Sequence, residues 1–96
     1  MPLTARQRQY LRGLAHPLAP IIRIGKGRLS DAVISETRRS LEAHELIKVR
    51  IEVDDSAERR TLSARLAEAV GAEVAGNIGK LSILYRPHEE PAIELP

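Results

Sequence analysis

The stretch Ile47-Lys48-Val49-Arg50-Ile51-Glu52-Val53 alternates aliphatic and charged side chains without a break. Successive side chains of a β-strand point to opposite faces, so the alternation predicts a strand with Ile47, Val49, Ile51 and Val53 buried. Lys48, Arg50 and Glu52 then share the other face. That face has no apolar stripe, so it is expected to lie open, with no helix covering it.

Upstream, Ser30 suits an N-cap and Asp31 complements the dipole of a helix's first turn. Val33, Thr37, Leu41 and His44 follow at helical spacing, which predicts one stripe with His44 half-buried on it, while Arg38 and Arg39 lie off it. Farther back, Ile21-Ile22-Arg23-Ile24 is a short strand candidate entered from Pro17 and Pro20. Before it, Thr4-Ala5-Arg6-Gln7 reads as a capping box opening a helix over 4–15. Its core side is expected at Tyr10, Leu11 and Leu14, with Arg6, Arg8 and Arg12 near the other side.

Downstream, Asp54-Asp55-Ser56 supplies turn and cap chemistry for a third helix carrying Leu62, Leu66, Ala69 and Val70, and Gly71 suits its end. Strands over 72–78 and 80–86 are expected to meet at a turn on Gly79, and Pro87 ends the second. The tail 88–96 is acidic, bounded by prolines, and expected to be extended and mobile. The resulting order is α-β-α-β-α-β-β. It predicts an α+β fold in which helices pack on a mixed four-stranded sheet. Each βαβ unit should be parallel and right-handed, and the last two strands should form an antiparallel hairpin.

With 96 residues the chain is expected to form a single domain. There is no cysteine, so disulfides and thiolate metal sites are excluded. No apolar run approaches the ~18–20 residues of a membrane span, and the amino-terminal stretch has no apolar signal core. A cytoplasmic protein without a membrane partner is expected. Net charge is +2, yet residues 1–50 hold ten basic and four acidic side chains while 51–96 hold five and nine. Between Met1 and Ser30 there are six Lys/Arg and no acid. Such asymmetry points to a polyanionic partner.

Catalysis finds little support in the residues. His16, His44 and His88 are scattered without metal-ligand spacing, and no Walker loop or nucleophile elbow occurs. Glu89-Glu90 in a mobile tail could not act as a rigid acid/base pair. A non-enzyme without cofactor, metal or small-molecule substrate is expected. The informative constellation is Gly25-Lys26-Gly27-Arg28, a basic loop between a strand and a helix start, where glycines admit a phosphate backbone and two cations attract it. It is not a dinucleotide fingerprint, because Ser30 stands where a third glycine would be needed. A second such spacing, Gly76-Asn77-Ile78-Gly79, holds no cation and reads as turn geometry, though Lys80 beside it could reach a phosphate. Tyr10 and Tyr85 are the only aromatic residues, so recognition by base-stacking platforms is not expected.

The stretches Leu14-Ala15-His16-Pro17-Leu18, Ile24-Gly25-Lys26, His44-Glu45-Leu46-Ile47-Lys48-Val49, Ile78-Gly79-Lys80 and Leu84-Tyr85-Arg86-Pro87 resemble the YhbY-like family. Its module is the CRM domain, named for chloroplast RNA splicing and ribosome maturation. The resemblance covers essentially the whole chain. It implies a fold similar to the C-terminal domain of translation initiation factor three. It also implies RNA binding, with single-domain bacterial members associated with precursors of the large ribosomal subunit. The family's Gly-x-x-Gly loop falls on Gly25 to Arg28, where Arg28 takes the place of the last glycine and adds a cation. A monomeric ribosome assembly factor contacting ribosomal RNA is therefore expected. Arg23, Gly25, Lys26, Gly27, Arg28, Lys48 and Arg50 would carry the contacts, helped by Arg12, Arg38, Lys80 and Arg86. The alternatives are a module docking a basic ribosomal protein through its acidic C-terminal half, and a DNA-binding domain, which the lack of a helix-turn-helix pair disfavours.

Overall fold

The computed structural model describes residues 2–25 and 28–96. Its centre is β2 (Leu46–Glu52), flanked by β1 (Ile22–Gly25) and β4 (Leu81–Tyr85), with β3 (Glu73–Ile78) outermost in the order β1-β2-β4-β3. β1 runs parallel to β2, and β4 runs antiparallel to both β2 and β3. β3 is therefore parallel to β2 with β4 inserted between them, so the chain is α+β in the expected order. The hairpin turn passes through Gly79 at φ 57°, a left-handed conformation that costs glycine little.

The helices begin where their caps dictate. α1 (Ala5–Ala15) opens on a reciprocal box in which Gln7 N–H donates to Thr4 Oγ1 at 3.1 Å and Thr4 N–H donates to Gln7 Oε1 at 3.0 Å. α2 (Asp31–Ala43) is capped by the Ser30 hydroxyl, which accepts from Val33 N–H, and α3 (Ser56–Val70) by Asp55, which accepts from Ala57 N–H. α2 and α3 cover one face of the sheet. There Ile22, Ile24, Ile47, Val49, Ile51 and Leu84 pack with Leu41, Leu62, Leu66 and Val70. Ser63 and Ser82, both buried, hydrogen-bond to each other across the α3–β4 contact.

α1 alone reaches the second face, where Leu11 and Ala15 pack on Leu46, Ala75, Ile83 and Tyr85. This overturns the expectation that no helix covers the charged side of β2. The buried residues of α1 are Leu11 and Ala15; Tyr10 and Leu14 are exposed, while Arg8 and Arg12 are half-buried, Arg8 donating to the Leu3 carbonyl and Arg12 lying against the sheet. His44 is also exposed rather than half-buried. α2 stops at Ala43, and His44 is an extended C-cap at φ −137°, ψ 135°, so helical spacing no longer governs where it points.

The acidic tail is likewise not free. Glu45 is buried, and its carboxylate accepts from three backbone N–H groups: His88 at 2.7 Å, Ala92 at 2.8 Å and Ile93 at 2.8 Å. His88 Nε2 lies 2.9 Å from the Leu41 carbonyl, Ile93 and Leu95 pack on the α1 cluster, and Pro96 O accepts from Gln7 Nε2. Burial pushes the Glu45 carboxyl up. The three N–H donors and the neighbouring His88 outweigh it and hold the group below the usual carboxylate range.

Candidate nucleic-acid interface

Registered partners in a sheet present their side chains to the same face. Arg23 pairs with Arg50, Arg50 with Leu81, and Leu81 with Ile78, so these four form a row across every strand of the sheet. The preceding row on this face holds Lys48, Ile83 and Gly76 and lies under α1, which packs against β2, β3 and β4. Arg12 marks the boundary. Its side chain lies along Gly76, where a Cβ would come within 2.6 Å of Arg12 Cδ, and its Nη1 donates to Ala75 O at 3.4 Å. Gly76 thus does more than turn the chain: its missing side chain is the space that Arg12 occupies.

Beyond Arg12 the row is uncovered. Ile78 is 56% exposed, the most exposed of the large apolar side chains among the described residues, and the Arg23 and Arg50 side chains are 72% and 37% exposed. Glu52, one step farther along β2, accepts from Arg50 Nε and lies 3.9 Å from Arg23 Nη1. The Arg50 hydrogen bond, opposed by partial burial and aided by the charges of Arg50, Lys80 and Arg23, holds Glu52 below the usual carboxylate range. Lys80 Nζ lies 3.1 Å from Asp54 Oδ1 at the adjoining hairpin.

β1 delivers Gly25 to the same end of the sheet, where its carbonyl accepts from Arg28 N–H at 3.3 Å. The Arg28 side chain is exposed and has no partner among the described residues; Lys26 and Gly27 lie outside the described residues. Arg23, Gly25, Arg28 and Arg50 therefore gather at one end of β1 and β2, with Lys80 beside them, while Arg12 lies farther across the sheet against β3.

Three of the expected residues have other surroundings. Lys48 is 8% exposed, and its ammonium donates to the carbonyls of His16 at 3.0 Å and Leu18 at 2.9 Å, just past the end of α1. The open position expected for Lys48 is thus occupied by α1 and the segment that follows it. Arg38 donates to Ala69 O at 2.9 Å and Arg86 to Val70 O at 3.0 Å, where two cations complement the negative end of α3. Sequence reading placed Glu52 on the open face but missed Leu81 and Ile78 as members of the row, because only the pairing register brings these two in line with the arginines. Among the described residues there is no group of three or more His, Asp or Glu able to hold a metal ion. No helix there is long and apolar enough to cross a membrane.

The chain is similar over nearly its full length to proteins of known family. The family model described as the CRS1 / YhbY (CRM) domain matches residues 3–86. A Haemophilus influenzae protein named "RNA-binding protein" is 39% identical over 98% of this chain and 95% of its own length. A Bacillus subtilis protein, "Probable RNA-binding protein YqeI", is 35% identical over 98% of this chain and 99% of its own. The solution structure of a Staphylococcus aureus protein described as a candidate RNA-binding protein superposes with a TM-score of 0.88 at 39% identity, covering 98% of this chain and 99% of that one.

Proposed function

The chain belongs to the CRS1 / YhbY (CRM) domain family, and on that premise we propose that it is an RNA-binding protein. The observation that carries the reading is the gathering of Arg23, Arg28 and Arg50 around the exposed Gly25 at the end of β1 and β2. Several other cations are committed to backbone carbonyls, and these are not. Arg23 and Arg50 share one carboxylate, Glu52, and Arg28 has no partner among the described residues, so phosphate groups would find cationic charge here. Lys26 and Gly27, between Gly25 and Arg28, extend the proposed contact. Lys80 borders it, and Arg12 lies across the sheet against β3. Lys48, enclosed and hydrogen-bonded, serves the fold instead.

The finer assignment is a ribosome assembly factor that contacts ribosomal RNA of the large-subunit precursor, acting as a monomeric single domain. It follows what the resemblance to the YhbY-like family implies, while the full-length match to relatives named for RNA binding supports the coarser RNA-binding reading. Titrating labelled large-subunit ribosomal RNA at rising salt tests the binding. Neutralising about four phosphates gives a log K against log salt slope near −2.8 for single strands. A salt-independent affinity contradicts the reading and favours docking of a basic protein by the acidic half of the chain. Sedimenting a cell lysate tests the finer assignment, which requires the protein in pre-subunit fractions; confinement to free fractions contradicts it.

A further inference from the structure

We infer that the open sheet row Arg23–Arg50–Leu81–Ile78 is a seat for a single-stranded RNA segment, restrained in the free protein by the Glu52 carboxylate. The inference rests on the proposed RNA binding and adds to it a surface, a strand state and a built-in competitor. An exposed isoleucine is ordinary by itself. Here it ends a row in which a half-buried leucine and two arginines are pinned side by side by strand register. Three inter-strand spacings make the row roughly 14 Å long, which accommodates a short stretch of unpaired nucleotides.

The chemistry suits unpaired RNA. Guanidinium groups bind phosphates or stack on bases, and apolar side chains can hold an unstacked base face. Leu81 and Ile78 thus supply at one end of the row the apolar surface that aromatic residues provide in other RNA-binding sheets. A duplex hides its base faces and could use the arginines but not the aliphatic end. Arg12, held flat over Gly76, closes the covered side of the seat.

Glu52 is the occupant that RNA must displace electrostatically. It accepts from Arg50 and lies near Arg23, the two cations the row would offer to phosphate. Its removal should leave both arginines free for phosphate, whereas a carboxylate with a merely structural role would give weaker or unchanged binding when removed.

The test is fluorescence anisotropy with a labelled oligouridylate, with circular dichroism confirming the fold of each variant. Ile78→Ala should weaken binding about fivefold, the low end for loss of a base-face contact. Glu52→Gln should tighten it about threefold, because the carboxylate that competes with phosphate for the two arginines is lost. Unchanged affinity in Ile78→Ala, or unchanged or weaker affinity in Glu52→Gln, overturns the seat while wild-type binding keeps the general RNA reading. Failure of the wild-type protein to bind either the oligouridylate or ribosomal RNA overturns that reading itself.

Discussion

Lys48 and Arg50 are two residues apart on β2, share a face, and are equally plausible in sequence as contacts for phosphate. Their surroundings differ. Lys48 is enclosed beside α1 and bound to two carbonyls, while Arg50 lies one row farther on, where α1 no longer reaches. Alternation establishes that the two side chains point the same way. What covers them is decided by a helix far away in sequence, whose end at Ala15 and following turn deliver the carbonyls of His16 and Leu18 to the ammonium.

The contrast breaks first under charge reversal. Lys48→Glu would bury a carboxylate against two carbonyl oxygens, so a loss of at least about 3 kcal/mol in urea-monitored stability is expected. Wild-type stability in this variant would mean that Lys48 is not enclosed. Glu45→Ala comes next, with a loss of about 2 kcal/mol. Hydrogen exchange at the amides of His88, Ala92 and Ile93 should rise sharply as the tail detaches, and retained protection would contradict the anchor. Because the folded state holds Glu45 below its ordinary value, its contribution is present above that value. It is lost as pH falls through the depressed one, so the tail should loosen in acid. Gly76→Ala sharpens the boundary between the two rows. Arg12 must move off the sheet, and the expected loss is about 1 kcal/mol. Smallest of all, Arg50→Ala should change stability by no more than about 0.5 kcal/mol, because its pair with Glu52 is only partly buried and still screened by water.

The fold was legible because each local signal agreed with the next. The Thr4–Gln7 box, the Ser30 and Asp55 caps and the alternation of β2 are all read from neighbours in sequence, and all are formed. What escaped depends on contacts between distant residues. Glu45 gives no sign in the sequence that it will bind a tail more than forty residues away. Arg38 and Arg86 look like free cations until the end of α3 is seen beside them. Ile78 looked like part of a turn until β3 and β4 were placed in register with β2 and β1, which set it in line with two arginines.

The proposed RNA surface is the uncovered end of the sheet rather than its enclosed lysine. The direct measurement is a salt-dependent titration of labelled ribosomal RNA against the wild-type protein and an Arg23→Ala, Arg50→Ala double variant of matched stability. The affinity of the variant should fall about tenfold, with the log K against log salt slope shallower by about 1.4, two phosphates fewer. An unchanged affinity and slope in a folded double variant would mean that RNA does not lie on this end of the sheet.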